Sequence, residues 1–390
     1  MKDTYRIMMV AGEPSGDGHA AKLANALRNA EPSCAFEFFG SAGPKMRDAG
    51  VEAVVKADDL AIMGIPEIAK AMPVFVSAYR GLKAAAAVRK PDVVVLIDFP
   101  EFNLKLAKSL KKSGLRVIYY ISPQLWGWRK YRRRTIRKYV DLLMSILPFE
   151  KDWYARHGIR NVEFVGSPLV NEVRPSHSRE EFRKAHSIDN STPLIALLPG
   201  SRHKEIARIL PPMLEAASLM ADTDPRLHFV IALAATRRRA EVEAATDLIA
   251  RAGIKVPENI LVVQDEAYDA LNASDAAAVA SGTATLEAGI IGTPMAIVYK
   301  TSNFNYKLIR PLIKIDHFGL INLIAGERIV SEMIQDDFTP ERLAAELFRI
   351  LEPEINAGIR SKLAEAASKL GPGGASNRAA AEILKFLQSQ

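Results

Sequence analysis

Val93-Val94-Val95-Leu96-Ile97-Asp98-Phe99-Pro100-Glu101-Phe102-Asn103 is the stretch on which the fold is read. Five apolar residues in a row, three of them Val, predict a short strand covered on both faces, as in a parallel sheet. The run stops at an acid, Asp98, and a Pro then opens a helical pattern near Phe102. In open parallel sheets ligands bind beyond the carboxyl ends of the strands. Asp98 therefore reads in two ways: as the cap of the following helix, or as a reactive group at the ligand edge.

The same strand-then-helix rhythm extends in both directions. Tyr5 to Val10 is a strand that runs into Ala11-Gly12-Glu13-Pro14-Ser15-Gly16-Asp17-Gly18 and a helix. Glycines at such a junction let backbone approach a ligand, and the helix start favours an anion. The spacing is not that of a dinucleotide fingerprint, and Glu13 argues against a plain phosphate cradle. Further strands are expected at Phe36 to Phe39, Arg116 to Ile121, Leu142 to Leu147 and Val162 to Val165. After a polar, charged stretch the alternation restarts at Leu194 to Leu198. It continues at His228 to Leu233, Ile260 to Val263, Ala276 to Ala280 and Met295 to Tyr299. This predicts an α/β chain of two Rossmann-like, doubly wound halves. The expected boundaries are 1–168, a linker at 169–192, 193–370, and a C-terminal helix at 371–390 that could cross back to the first half.

Composition narrows the partners. The chain has 390 residues, too many for one ordinary core. One cysteine, Cys34, leaves no intrachain disulfide, and the seven His show no paired metal-ligand spacing. No run approaches the ~18 apolar residues that span a bilayer, and Ile7 to Val10 is too short for a signal-peptide core. A cytoplasmic location is expected. A formal net charge of +7 suits anionic partners: nucleotides, phosphorylated substrates, an anionic membrane surface or nucleic acid. Seven of the ten residues from Arg129 to Lys138 are Lys or Arg, beside Trp126, Trp128 and Tyr131. This run is either a solvated helix face or an anion-seeking surface with aromatic anchors. Leu60 to Ile68, with Met63, is apolar for so breaker-rich a segment. It reads as a core-facing connection or as part of an apolar substrate entrance.

Two junctions in the second half carry nucleotide chemistry. Pro199-Gly200-Ser201-Arg202 follows a strand and opens a helix, where backbone amides and Arg202 could hold a diphosphate; the bland alternative is a turn with a surface Arg. Ser281-Gly282-Thr283-Ala284-Thr285-Leu286-Glu287 combines small residues with a carboxylate one turn into a helix. Glu287 could accept both ribose hydroxyls there. Asn322 is isolated in the apolar run Leu320 to Ala325, so it needs a buried partner or a ligand. Asp222-Thr223-Asp224 has the form of a metal-binding sugar-transferase motif, but it precedes Pro225 at a helix end and reads as a surface turn.

Taken together these pieces resemble the lipid-A-disaccharide synthase family. The resemblance rests on AGEPSGD from Ala11, MGIPE from Met63, IDFPEFN from Ile97, YYISPQLWGWR from Tyr119 and LPFEK from Leu147. It continues with FVGSPL from Phe164, LLPGSR from Leu197, SGTATLE from Ser281 and NLIAG from Asn322. It implies the GT-B fold, with two Rossmann-like domains facing a cleft. It implies transfer of diacylglucosamine from UDP-2,3-diacylglucosamine to 2,3-diacylglucosamine 1-phosphate, giving a β-1,6-linked disaccharide 1-phosphate and UDP. The enzyme would be inverting, metal-independent, without a cofactor, and peripheral at the cytoplasmic face of the inner membrane.

Under this resemblance Asp98 is the expected general base, with Arg202 and Asn322 completing the catalytic set. Gly200, Ser201, Arg202, Ser281, Gly282, Thr283 and Glu287 are expected to hold UDP. Glu13, Ser15, Gly16, Met63, Asn103, Trp126 and Trp128 are expected on the acceptor side. Arg129, Lys130, Arg132, Arg133 and Arg134 are expected to meet the membrane. The sequence departs from the family's usual residues at Ala20 (Gly), Glu101 (Asp), Ser167 (His) and Ile321 (Pro). A UDP-sugar epimerase of the same architecture, or a basic nucleic-acid-binding protein, are the rival readings. The second is disfavoured because the strand-end acids and Glu287 would repel phosphates. The sequence fixes no oligomeric state.

Overall fold

A computed structural model describes residues 2–61, 68–310 and 315–389. It divides into two compact units, Met1–Pro168 with Leu370–Gln390, and Leu169–Lys369.

The first unit is built on a parallel sheet of β1 (Thr4–Val10), β2 (Ala35–Ala42), β3 (Glu52–Lys56), β4 (Val93–Ile97), β5 (Val117–Tyr120), β6 (Leu142–Ser145) and β7 (Val162–Phe164), in the order β3-β2-β1-β4-β5-β6-β7. All five residues of β4 are fully buried. Their side chains alternate between two cores, which is why the strand contains no polar residue. Val93, Val95 and Ile97 join Ile7 and Met9 on one face. Val94 and Leu96 join Met8 and Val10 on the other. The first core is closed by the helix Pro14–Ala30 and by the last helix, Ala375–Gln388, through Ala379, Ala380, Ile383, Leu384 and Leu387. The Arg116 guanidinium also lies 5.1 Å from the Phe386 ring.

The second unit holds β8 (Leu194–Leu198), β9 (His228–Leu233), β10 (Ile260–Gln264), β11 (Ala276–Ala280), β12 (Met295–Tyr299) and β13 (Glu332–Ile334), again parallel, in the order β10-β9-β8-β11-β12-β13. Residues 169–192 are folded with this unit. Arg183 is the reason: it is fully buried, its guanidinium donates to the carbonyls of Ala273, Asp189, Asn190 and Thr192, and it pairs with Asp275 at 3.0 Å. Edge strands β3 and β13 lack the apolar signature that marks the others. One flank of each has no strand neighbour, and their residues are at most half-buried.

Each sheet reverses its strand order once, between β1 and β4 and between β8 and β11. Such switch points open a crevice outside the carboxyl ends of the two strands, because their following connections leave to opposite faces.

Candidate active site

At the first switch point β1 and β4 run in register, with Val10 opposite Leu96. The loop after β1 and Asp98 therefore leave the sheet edge side by side. Asp98 and Phe99 have φ of 46° and 50°, two consecutive left-handed non-glycine residues. Such conformations persist where the surroundings over-determine them, and they cluster at functional sites. The Asp98 carboxyl meets the Phe99 amide, one residue before the position of a helix cap. Phe99 occupies the N-cap of the helix Pro100–Lys112, which has no side-chain cap. The capping reading is therefore set aside. Burial, and next the Glu13 carboxylate, push the Asp98 carboxyl up to about 6; the Phe99 amide and His19 oppose the rise.

Glu13 and Ser15 are exposed at the start of the helix Pro14–Ala30, and Gly16 is buried beneath them. Asp17 is structural: its carboxylate accepts from the amides of Gly43, Lys45 and Met46. Gly12 is required sterically, since a Cβ there would lie 2.2 Å from the Phe99 ring. We expect Gly12→Ala to cost roughly 1–3 kcal/mol by overpacking and to lower turnover by displacing the Asp98–Phe99 turn. Thermal unfolding and initial rates check this, and unchanged values in both would refute it.

Three expected acceptor contacts need correction or fall outside the described residues. Asn103 is fully buried, and its Nδ2 donates to the carbonyls of Val10, Ile97 and Asp98 at 3.4, 3.2 and 2.9 Å. It braces the turn through that nitrogen, while its Oδ1 has no hydrogen-bond partner among the described residues. Trp126 is also buried; its indole donates to Glu150 at 3.1 Å. Glu150 is itself pushed up to about 8 by burial, so it is mostly neutral near pH 7. Met63 lies outside the described residues. Trp128 is 42% exposed, with the Arg129 guanidinium 4.0 Å from its ring centre.

The basic run is narrower than its composition suggests. Arg129 and Arg132 both pair with Glu101, so these two membrane-facing assignments are corrected. Glu101 thus holds the loop. Arg133 donates to the Lys130 carbonyl at 3.0 Å, and Arg134 and Tyr131 are exposed. Ser167 is buried, and its amide donates to the Leu370 carbonyl.

At the second switch point Leu198 stands opposite Val279 on parallel strands. The loops 199–202 and 281–283 consequently emerge next to each other. Gly200 has φ 110° and Gly282 φ 154°, conformations that favour glycine. A Cβ at Gly282 would meet nothing, so that glycine faces open space. Arg202 is 81% exposed and pairs with Glu205 at 2.8 Å. Ser281 donates to the Phe318 carbonyl, while Gly282 and Thr283 are exposed. Glu287 is partly buried and held above its ordinary range by burial, against a hydrogen bond from Tyr268. Tyr268 escaped the sequence reading; its only signal is a hydroxyl one residue into the helix that follows β10.

Asn322 is a further correction. It is fully buried, and both ends of its amide are used within the unit. Nδ2 donates to the Val330 carbonyl and to Glu332, both at 2.9 Å; Oδ1 accepts from the amides of Ile329 and Val330 at 3.0 and 3.1 Å. It is a clamp with no hydrogen-bonding position left for substrate. Next to it, a Cβ on Gly289 would come within 2.6 Å of Ile321, so these helices meet at close range. Among the described residues no three His, Cys, Asp or Glu side chains gather as a metal site would require. No described helix is long and apolar enough to cross a membrane.

Two parallel sheets with interleaved helices, each with its loops at a strand-order switch, make this the GT-B fold. Solved structures agree on the fold. A UDP-GlcNAc 2-epimerase from Neisseria meningitidis matches with TM-score 0.62 and 14% identity, covering 98% of this chain and 99% of that one. A glycosyltransferase from Rickettsia africae matches with TM-score 0.62 and 13% identity, covering both chains fully.

The chain belongs to the lipid-A-disaccharide synthetase family, which it matches over residues 7–384. Lipid-A-disaccharide synthases from Geobacter metallireducens and Myxococcus xanthus are 41% and 42% identical to it, over 98% and 99% of this chain and 97% and 99% of theirs. It is accordingly a glycosyltransferase of lipid A biosynthesis.

Proposed function

We propose that the chain transfers 2,3-diacylglucosamine from its UDP derivative to the 6-hydroxyl of 2,3-diacylglucosamine 1-phosphate, without a metal. Asp98 accepts the proton of that hydroxyl as its oxygen attacks the anomeric carbon. The bond from that carbon to the diphosphate breaks, its electron pair leaves with UDP, and the configuration inverts to β. The observation that carries this reading is Asp98: a carboxylate at a switch point, in a strained turn, with its pKa raised to about 6. A base poised near the working pH transfers protons best.

On the donor side the loops at Gly200-Ser201 and Ser281-Gly282-Thr283 offer backbone amides to the diphosphate. Arg202 is available to join them. Its partner Glu205 holds it only through an exposed pair, worth about 0–1 kcal/mol. Glu287 is the ribose acceptor in this reading. Glu13, Ser15 and Gly16 line the acceptor side.

The decisive assay supplies both acylated substrates in the presence of a chelator. Disaccharide 1-phosphate and UDP in equal amounts support the proposal. Conversion of the UDP-sugar without acceptor would instead mark an epimerase.

The base must be ionised to act, so kcat should rise as pH passes up through about 6 and level off above it. Glu13→Gln removes a carboxylate that raises Asp98, so the acid limb should move to lower pH. A limb that stays in place would separate Glu13 from Asp98.

The membrane partner in this proposal is an anionic surface at the cytoplasmic face of the inner membrane. It is met by Lys130, Arg133 and Arg134 with the exposed Trp128 and Tyr131. Arg133→Glu with Arg134→Glu should weaken binding to anionic vesicles, most at low salt where screening is least. Equal vesicle binding by parent and variant would remove this run as the membrane contact.

A further inference from the structure

We infer that Tyr119 is a positioning residue for the reaction, holding the Asp98 turn in its left-handed form through a single hydrogen bond. The inference rests on Asp98 being the base. Tyr119 lies on β5, opposite Leu96 of β4, and its side chain is fully buried. A buried tyrosine hydroxyl has to find a partner. This one reaches past the end of β4 and donates to the Asp98 carbonyl oxygen at 2.5 Å.

The geometry makes that carbonyl the control point. The planar Asp98–Phe99 peptide is oriented by ψ of Asp98 and φ of Phe99, so holding its carbonyl fixes the step from one left-handed residue to the next. The amide of Asp98 is fixed by the Tyr120 carbonyl at 3.0 Å, so the preceding peptide continues the sheet. Its carbonyl receives two donors, Tyr119 Oη at 2.5 Å and Asn103 Nδ2 at 2.9 Å. Phe99 is anchored by ring stacking on Phe75 and Phe102, at 6.3 and 5.6 Å between centres. The Asp98 carboxyl is met by the amide of Phe99, the other end of that same peptide. The direction of the carboxylate is thus inherited from the peptide that Tyr119 and Asn103 hold. Burial and the nearby Asp98 charge keep the Tyr119 hydroxyl protonated, so it remains a donor across the working pH range.

Removing the hydroxyl alone tests this. Tyr119→Phe keeps the ring in the core. It should lower kcat about tenfold or more, the scale set by misplacing a reacting group. KM for both substrates and the Kd for UDP should change little. The acid limb of kcat should move below that of the parent, because a freed carboxylate gains water and loses the burial that raises it. A tyrosine serving only stability would lower the Tm and leave that limb in place. Asn103→Ser withdraws the second donor; it should give the same split, and it decides the matter if Tyr119→Phe does not fold. Asp98→Asn is run alongside. Turnover near that of the parent in Asp98→Asn removes the base and this inference with it. An inactive Asp98→Asn together with unchanged kcat and an unchanged acid limb in Tyr119→Phe and Asn103→Ser overturns the positioning role alone.

Discussion

Asp98→Asn is expected to abolish transfer while leaving the fold and UDP binding intact. Asparagine keeps the shape of the side chain but cannot take up a proton, and a positioned base contributes ~10²–10⁴-fold. The turn itself should survive. It is held through the Asp98 carbonyl by Tyr119 and Asn103, and asparagine tolerates the left-handed region well. Stability should even rise above pH 6. The ordinary value for aspartate is 3.8, and burial holds Asp98 at about 6. The unfolded chain therefore ionises before the folded one does. Deprotonation disfavours the folded state progressively between those two values, and the penalty is complete above 6. A neutral side chain escapes it, so the Tm gain should appear at pH 7 to 8 and vanish below pH 4. Near-normal turnover by the pure variant would end the base assignment.

Asn322→Leu should act in the opposite way, through stability and not chemistry. Leucine restores apolar volume but offers nothing to the amides of Ile329 and Val330, the Val330 carbonyl or the Glu332 carboxylate, all of which Asn322 now satisfies. Each buried orphan costs about 1–3 kcal/mol. Local relaxation recovers part of that, leaving a net loss of roughly 3–5 kcal/mol. For a unit of this size the Tm falls on the order of 10 °C. Activity lost at physiological temperature should return on cooling, whereas Asp98→Asn stays inactive at every temperature. An unchanged Tm with lost activity would give Asn322 a substrate contact after all.

The contrast between those two residues shows what sequence carries and what it does not. β4 was legible because burial on two faces forces an unbroken apolar run, and the loops that follow β1, β4, β8 and β11 carry acids, glycines or an arginine where strands end. The roles of Asn103, Trp126 and Asn322 were not legible. A polar or aromatic residue fixed within a motif can face the ligand or brace the loop that does. Its hydrogen-bond partner decides between them, and that partner is distant: Glu150 for Trp126, the backbone of Val10 for Asn103. The basic run misled for the same reason. Glu101 lies 28 positions before Arg129 in the chain, yet it neutralises part of the run. Strands β3 and β13 were missed because none of their residues is fully buried, whereas the other two edge strands, β7 and β10, each keep a buried Val.

The last helix gives the molecule an order of assembly. The unit that carries Asp98 is discontinuous, and its first core is walled by the helix Pro14–Ala30 and, last in chain order, by residues 375–388. On the ribosome the chain finishes Leu169–Lys369 while that core still lacks a wall. Domains tend to fold as they emerge, N-terminal first; here the unit begun first is completed last. Until residues 375–388 emerge, the apolar face that they cover stays open on the nascent chain. A chain stopped near residue 369 would keep Leu169–Lys369 whole and leave the unit that carries Asp98 sticky, the natural target of a holdase chaperone.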